Sequence, residues 1–321
     1  MNRKMVVVLP VLTPKHREQI RFSAASNGFE VSFFTEAQDA LPALADAEII
    51  LGQSQVLSQN APSLRWLCTP SAGVNQFLAP DAFAQPDAML SNSSGAYGVT
   101  IAEHIVMVTL ELMRRQTEYN EIVSRRDWRR DLPIRSIHGS RVTLLGTGDI
   151  GQEAAVRLRA FSPRCLIGMN RGGRNPGNLF DRVVTEDALE SVLQQTDLLI
   201  LSLPETPQTR GLLSAARLAL LPHNAFLVNV GRGSAIDQRA LEALLRAGHL
   251  SGAALDVFEQ EPLPAKSSLW DCPRLLITPH VAGNMTLDYT VEKIISQFLG
   301  DFDRYCNGLP PAHLVDRNIG Y

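Results

Sequence analysis

The stretch SRVTLLGTGDIGQEAAVRLRAF, residues 140–161, decides the fold of this chain. Residues 140–145, with Val142, Leu144 and Leu145, predict a buried strand, and residues 152–161 have the composition of an amphipathic helix. Between them lies GTGDIG, a GxGxxG pattern. Glycines at this spacing permit a tight turn, a close approach of the backbone to a pyrophosphate, and close packing of a helix on a strand.

A GxGxxG pattern alone occurs often by chance. Here a predicted strand precedes it and a predicted helix follows it, which is the context that dinucleotide binding requires. The amino end of the helix then offers free N–H groups to the anion. The loop residues that we expect to bind the dinucleotide are Gly146, Thr147, Gly148, Asp149, Ile150 and Gly151.

The end of the next predicted strand bears on the choice of cofactor. An NAD-selective site usually has an acid there, about twenty residues beyond the glycine loop, to bind the ribose hydroxyls. This chain has Asn170 instead, followed by Arg171 and Arg174, whose guanidinium groups can bind a 2′-phosphate. The alternative is that both arginines are solvated loop residues. We favour NADP as the cofactor, with NAD as the second choice.

The composition is that of an ordinary globular protein. The 321 residues are 45% hydrophobic and 20% charged, and their number suggests about two domains. The net charge of -3 gives no reason to expect a nucleic-acid partner, because a phosphate-binding surface normally needs a basic excess.

We expect a cytoplasmic protein without a membrane span. The apolar residues 5–9 end at Pro10, which makes the run too short for a signal peptide, and no run of about 18 apolar residues occurs. The cysteines are far apart and form no CxxC pair, so we expect neither a disulfide framework nor a metal site. They are Cys68, Cys165, Cys272 and Cys306.

Apolar β-rich runs alternate with amphipathic stretches along most of the chain. This alternation predicts an α/β fold with parallel sheets covered by helices on both faces. The predicted strands are residues 6–9, 31–34, 48–51, 66–68, 142–145, 165–169, 198–203, 226–230, 253–257 and 275–278.

Two long helical patterns, residues 100–115 and 287–305, mark the predicted domain edges. We predict two Rossmann-like, doubly wound parallel-sheet domains. The cofactor domain, residues 99–290, is inserted into a discontinuous substrate domain made of residues 1–98 and 291–321. A ligand cleft is expected at the domain interface.

Three further segments follow predicted strands of the cofactor domain, and they are residues 229–233, 255–264 and 278–283. Ligands of open α/β sheets bind beyond the carboxyl ends of strands, so these segments are expected to converge beside the glycine loop. Reduction of a 2-keto acid needs a cation that binds the carboxylate and polarises the carbonyl, for which Arg232 is suited. It needs a proton donor, His280, and an anion that orients it, Glu261.

Several motifs in this order resemble the D-isomer-specific 2-hydroxyacid dehydrogenases, in particular their glyoxylate and hydroxypyruvate reductase branches. The similarity covers most of the chain. Besides the glycine loop, the motifs are PSAGV (70–74), AEH (102–104), LPET (203–206), NVGRG (229–233), DVFEQEPLP (256–264) and SLWDCPRLLITPH (268–280).

The resemblance implies that Arg232, Glu261 and His280 form the catalytic triad, that Asp256 contacts the nicotinamide carboxamide, and that the protein is a homodimer acting on a small 2-keto or 2-hydroxy acid of the D series. It also implies that the substrate carboxylate is bound by the backbone of Ser71, Ala72, Gly73 and Val74. Further residues expected in the cofactor site are Leu203, Pro204, Val230, Gly231, Ala282 and Gly283.

The sequence also departs from some relatives. Formate-oxidising members pair their histidine with glutamine, so Glu261 argues against formate. The chain ends soon after its last predicted helix, so we expect no C-terminal regulatory domain. A different class of function stays open, since some relatives are dinucleotide-sensing corepressors. The other histidines, including His104, are assigned no chemistry.

Overall fold

The computed structural model describes residues 3–317 and 320. The chain divides into two compact units, which we name the first unit (Met1–Tyr97 with Asn284–Tyr321) and the second unit (Gly98–Gly283). Residues 284–290, which the sequence placed in the cofactor domain, fall in the first unit. Met285 packs there against the buried cluster that contains Trp66 and Phe298.

Twelve strands are present among the described residues. They are β1 (Arg3–Val8), β2 (Phe29–Phe34), β3 (Ala47–Gly52), β4 (Trp66–Cys68), β5 (Met89–Ser91), β6 (Arg141–Leu145), β7 (Cys165–Met169), β8 (Arg182–Val184), β9 (Leu198–Leu201), β10 (Phe226–Asn229), β11 (Gly252–Leu255) and β12 (Leu275–Ile277).

The described residues also form ten α-helices, joined by short 3-10 turns and loops. They are α1 (Pro14–Ser26), α2 (Ala37–Ala40), α3 (Gln55–Gln59), α4 (Gly98–Arg114), α5 (Gln116–Ser124), α6 (Asp149–Arg159), α7 (Leu189–Leu193), α8 (Ala215–Leu218), α9 (Gln238–Arg246) and α10 (Asp288–Cys306).

The first unit contains a five-stranded parallel sheet in the order β2-β1-β3-β4-β5. Its central strand β3 has consecutive apolar residues because both faces of the sheet are buried. Ile50 belongs to the hydrophobic cluster on one face, whereas Ile49 and Leu51 belong to the cluster on the other.

Aromatic packing joins α10 to this sheet. The ring of Trp66 in β4 stacks on Phe298 and on Tyr305, with centroid distances of 5.5 Å in both pairs. The Trp66 indole N–H is satisfied inside the core, since it donates to Ser91 Oγ at 2.9 Å. This packing explains why the C-terminal helix belongs to the same unit as the N-terminal strands.

The second unit contains a seven-stranded parallel sheet in the order β12-β11-β10-β9-β6-β7-β8. The chain order reverses at β6, since β7 lies on one side of it and β9 on the other. Such a reversal opens a crevice at the carboxyl ends of the strands, where ligands of this fold class bind. The glycine loop leaves β6 at this point.

These sheets confirm the predicted fold class of two Rossmann-like parallel-sheet units. Each of the ten predicted strands overlaps an observed strand, and the two long helical patterns correspond to α4 and α10. The sequence analysis missed β5 and β8, which have three residues each. Strands this short contain too little alternation to form a pattern.

Among the described residues, no helix has both the length and the apolar character that crossing a membrane requires. The four cysteines are free thiols.

We predict that Phe298→Ala destabilises the first unit by about 3 to 5 kcal/mol, because it removes a buried ring from the aromatic stack. Phe298 is 1% exposed. The matched control is Phe22→Ala, since Phe22 is 76% exposed and its loss is expected to cost less than about 0.5 kcal/mol. Urea denaturation of both variants measures the difference, and equal midpoints would contradict this description of the core.

Candidate active site

Two glycines of the loop after β6 are required by close packing. Gly146 has φ 103°, which L side chains rarely adopt, and a Cβ there would lie 2.8 Å from Ser202 Oγ. A Cβ on Gly151 would lie 2.1 Å from the carbonyl oxygen of Gly146. A side chain on Gly146 would therefore push the loop away from Ser202 after β9, and one on Gly151 would push α6 away from the loop.

Gly148 differs, because a Cβ there would meet no atom within 4 Å. It precedes α6, and no side chain of the described residues caps that amino end. The open space at Gly148 and the uncapped helix end together form a cradle for an anion. The residues present therefore fit the pyrophosphate of a dinucleotide.

Asn170, directly after β7, connects this loop to the next one. Its Nδ2 donates to Thr147 Oγ1 at 2.6 Å and to the carbonyl oxygen of Arg174 at 2.8 Å. Its Oδ1 accepts from Gly172 N at 3.1 Å. An acid at position 170 would have no N–H group to donate to these acceptors. Its negative charge would also lie against the carbonyl oxygen of Arg174. Asparagine thus has a local structural role at the position where NAD-selective sites have an acid.

Arg171 and Arg174 are exposed on the loop that Asn170 organises. This loop leaves the carboxyl end of β7, the neighbour of β6. In this fold class the adenosine ribose lies on that side of the glycine loop.

Arg232 follows β10 and is held by its own loop. Asn229 accepts from Gly231 N and donates to the carbonyl oxygen of Arg232, both at 3.0 Å. Burial lowers the pKa of Arg232, and the negative charges of Glu205 and Glu261 oppose that shift. The guanidinium stays charged at neutral pH. Arg232 is therefore a partly buried cation, and the two carboxylates act on it electrostatically.

The glycines of the NVGRG motif let this loop pack tightly. A Cβ on Gly231 would lie 2.7 Å from the backbone of Leu203, and a Cβ on Gly233 would lie 1.9 Å from the carbonyl carbon of Phe258. The segment after β10 is therefore in backbone contact with the segments after β9 and β11. This packing explains why Arg232 and Glu261 are close enough to interact.

Glu261 and His280 form a hydrogen-bonded pair. Glu261 Oε2 lies 2.7 Å from His280 Nδ1, and Oε1 accepts from Phe258 N at 2.8 Å. The carboxylate therefore holds the proton on Nδ1, so the other ring nitrogen, Nε2, is left for proton exchange. Nε2 has no hydrogen-bond partner among the described residues, and the His280 side chain is 50% exposed.

Asp256 organises the loop that carries His280. Its buried carboxylate accepts from Thr278 Oγ1 at 2.6 Å, Val281 N at 2.9 Å and Ala282 N at 3.0 Å. Its carbonyl oxygen accepts from His280 N at 2.9 Å. His280 has φ 55°, a left-handed conformation that costs about 1 to 3 kcal/mol for a residue other than glycine. The bonds to Asp256 offset this strain.

His104 in α4 is a site neighbour that the sequence analysis missed. Its Nε2 lies 3.4 Å from Thr278 Oγ1, the hydroxyl that donates to Asp256. Burial lowers the pKa of His104, and the charge of Asp256 opposes the shift. In the sequence, only the AEH motif pointed to His104. Its proximity to Thr278 could not be inferred, because 174 residues separate the two.

The loop Ser71–Val74 lies in the first unit, directly after β4. Ser71 Oγ donates to the carbonyl oxygen of Gly73 at 2.7 Å, and Asn92 Nδ2 donates to that of Ala72 at 2.8 Å. These bonds fix the loop, whereas the N–H groups of residues 72–74 have no acceptor among the described residues. They form a potential site for an anion.

The remaining predicted cofactor residues follow β9, β10 and β12 of the second unit. They are Leu203, Pro204, Val230, Gly231, Ala282 and Gly283. The second unit thus brings together the glycine loop and all three triad residues at the carboxyl ends of its strands. In the described part of the chain, no three His, Cys, Asp or Glu side chains are grouped to hold a metal ion.

Comparisons with known proteins identify the family of the chain. Residues 106–282 match the family model described as D-isomer specific 2-hydroxyacid dehydrogenase, NAD binding domain. Over 281 residues, the chain is 31% identical to glyoxylate/hydroxypyruvate reductase B of Pectobacterium carotovorum, and the alignment covers 83% of this chain and 87% of that protein.

Two solved structures share the fold over nearly the whole chain. A D-isomer specific 2-hydroxyacid dehydrogenase family protein from Aeromonas salmonicida has a TM-score of 0.87 and 32% identity, covering 99% of this chain and 100% of that one. The NADPH-dependent glyoxylate/hydroxypyruvate reductase from Sinorhizobium meliloti, solved with NADP and sulfate, has a TM-score of 0.81 and 30% identity at the same coverage. This chain belongs to the D-isomer specific 2-hydroxyacid dehydrogenase family.

Proposed function

We propose that this protein uses NADPH to reduce a small 2-keto acid of the glyoxylate or hydroxypyruvate type to a 2-hydroxy acid of the D series. The observation that carries the proposal is the His280 ring, which Glu261 holds through Nδ1 while Nε2 is left for proton exchange. The substrate class is supported by the Pectobacterium and Sinorhizobium relatives, both named glyoxylate/hydroxypyruvate reductases.

Each triad residue has a defined role in this proposal. Arg232 binds the substrate and polarises its carbonyl, since its planar fork matches two oxygen atoms. When bound, the reduced nicotinamide supplies the hydride for the carbonyl carbon. His280 donates the Nε2 proton to the oxygen that becomes the hydroxyl. Glu261 keeps the Nδ1 proton in place throughout, so the ring ends the step neutral, and the reverse reaction begins from that state.

We further propose that the first unit is the substrate domain and the second unit the cofactor domain. In the first unit, the free N–H groups of residues 72–74 would bind a substrate carboxylate, because consecutive backbone donors form a concave anion site. In the second unit, the cradle at Gly148 would hold the pyrophosphate. Asp256 would use its remaining acceptor capacity for the nicotinamide carboxamide.

The preference for NADP over NAD is supported by the loop after β7. Arg171 and Arg174 are two exposed cations on this loop, and Asn170 holds the loop against Thr147. The Sinorhizobium relative, which is NADPH-dependent, was solved with NADP. Binding of NAD is the weaker alternative.

We propose that the protein is a cytoplasmic homodimer. Large apolar side chains are exposed on the second unit, and contact with a second copy would remove them from water. They are Met107, Val123 and Trp128. Free thiols at all four cysteines fit a reducing compartment.

The proposed function is tested by following NADPH and NADH absorbance with glyoxylate, hydroxypyruvate, pyruvate and a bulkier 2-keto acid. We expect the highest kcat/KM for glyoxylate or hydroxypyruvate with NADPH. If none of these acids is turned over while NADPH binds tightly, the protein is better described as a dinucleotide-sensing scaffold.

His280→Asn is expected to lower kcat by about 10² to 10⁴, because it removes the proton donor. Glu261→Gln is expected to lower kcat by about 10- to 100-fold, the value of one charge-assisted hydrogen bond. The matched control is Glu259→Gln, an exposed carboxylate in the same loop. Steady-state kinetics should show an unchanged KM for NADPH in all three variants. A wild-type kcat for His280→Asn would show that the imidazole is not the proton donor.

Replacing both Arg171 and Arg174 with glutamine is expected to raise the KM for NADPH by about 10- to 100-fold, because charge-assisted bonds to the 2′-phosphate are lost. The KM for NADH should stay within about 2-fold, as for other surface substitutions. Arg164→Gln, at the opposite end of β7, is the control. Equal increases for both cofactors would argue against recognition of the phosphate by these arginines.

A further inference from the structure

A cavity of about 480 Å³ opens on the second unit, at the amino ends of its strands. Its wall includes Ser140 before β6, Asp197 before β9 and Phe226 at the start of β10. The glycine loop and the triad follow the carboxyl ends of these strands, so the cavity lies at the other edge of the sheet. Its volume is in the range of small-molecule sites.

Four basic side chains line this cavity, which we name the basic pocket: Arg114, Arg135, His138 and His223. Neither guanidinium has a carboxylate partner among the described residues. Some other arginines of this unit do form ion pairs, such as Arg159 with Asp181 at 2.8 Å. The two arginines lie on adjacent segments, since Arg135 N donates to the carbonyl oxygen of Met113 at 2.8 Å. Their like charges repel each other, and a bound anion would relieve that repulsion.

The pocket lining has one acid, Asp197, against the two arginines. Asp197 Oδ2 accepts a hydrogen bond from the backbone N–H of Arg141 at 2.8 Å, so the carboxylate is directed to the edge of the sheet. His223 is packed against a neighbouring ring, since its centroid lies 4.1 Å from that of His249. His249 is itself anchored by its Nε2 contact with the carbonyl oxygen of Leu221 at 2.8 Å.

Apolar side chains contribute to the same wall. Met113 and Phe226 are buried, whereas Ile134 is half exposed. A pocket with both cations and apolar surface is suited to a ligand that has a carbon skeleton as well as charged groups. An inorganic ion would leave the apolar part of the wall in contact with water.

We propose that the basic pocket binds a small organic anion carrying two or more carboxylate or phosphate groups, at a site separate from the one that holds the dinucleotide. Arg114 and Arg135 are the principal anion ligands, because two planar guanidinium groups bind oxyanions through charge-assisted hydrogen bonds. His138 and His223 supply further donors. The inference does not depend on which 2-keto acid the protein reduces.

The test is isothermal titration of the full chain, saturated with NADPH so that the dinucleotide site is filled. The probes are citrate for polycarboxylates, fructose 1,6-bisphosphate for organic phosphates, and inorganic phosphate, all at constant ionic strength. We expect one site per chain for at least one organic probe, with weaker binding of inorganic phosphate. Tighter binding of citrate would indicate that the pocket prefers carboxylates, and tighter binding of fructose 1,6-bisphosphate would indicate that it prefers phosphates.

Replacing both Arg114 and Arg135 with glutamine should weaken binding of that probe by about 10-fold or more. The control is the double variant Arg182→Gln and Arg239→Gln, which changes two exposed arginines of the second unit outside the pocket lining and should leave the affinity unchanged. A His138→Gln and His223→Gln double variant should lose less affinity than the variant without Arg114 and Arg135.

Two results would overturn the proposal. The first is that neither organic probe binds the wild-type chain, and the second is that the variant without Arg114 and Arg135 binds with wild-type affinity. If that variant also sediments as a smaller species, the second result would assign the arginines to a subunit contact. A chain that binds the probe but turns over no 2-keto acid would contradict only the proposed function.

Discussion

The carboxylate of Asp256 is the constraint on which the candidate site depends. It is 3% exposed and accepts hydrogen bonds from Thr278, Val281 and Ala282. A buried carboxylate is costly unless such bonds are made, so folding of the second unit also fixes the loop after β12. His280 is thereby held in a left-handed conformation, with Nδ1 2.7 Å from Glu261. The position of His280 thus follows from burial of a residue outside the triad.

The two edges of the seven-stranded sheet have different chemistry. The carboxyl ends of the strands carry the glycine loop and the triad, because the strand order reverses at β6. The amino ends carry the basic pocket, which contains neither the triad nor the glycine loop. One sheet can therefore hold a reaction site and a separate anion site without sharing side chains between them.

Much of this organisation was predictable from local sequence patterns. The glycine loop, the apolar runs and the two long helices indicated the fold, and motif order placed Arg232, Glu261 and His280 after strands of one sheet, whereas their catalytic roles are proposed from chemistry and family resemblance. The hydrogen bond between Asn170 and Thr147 and the contact between His104 and Thr278 were not predictable, because they depend on how distant segments pack. Asn170 appeared in the sequence only as the absence of an acid, whereas it organises a loop.

The pairing of Glu261 with His280 is the central claim, and a double-mutant cycle measures it most directly. If Glu261 acts only through the imidazole, Glu261→Gln should leave kcat unchanged in a His280→Asn background, although it lowers kcat in the wild-type background. The coupling free energy would then equal the whole effect of the Glu261 substitution, about 1.5 to 3 kcal/mol. Strictly additive effects would contradict the account, since Glu261 would then act independently of His280.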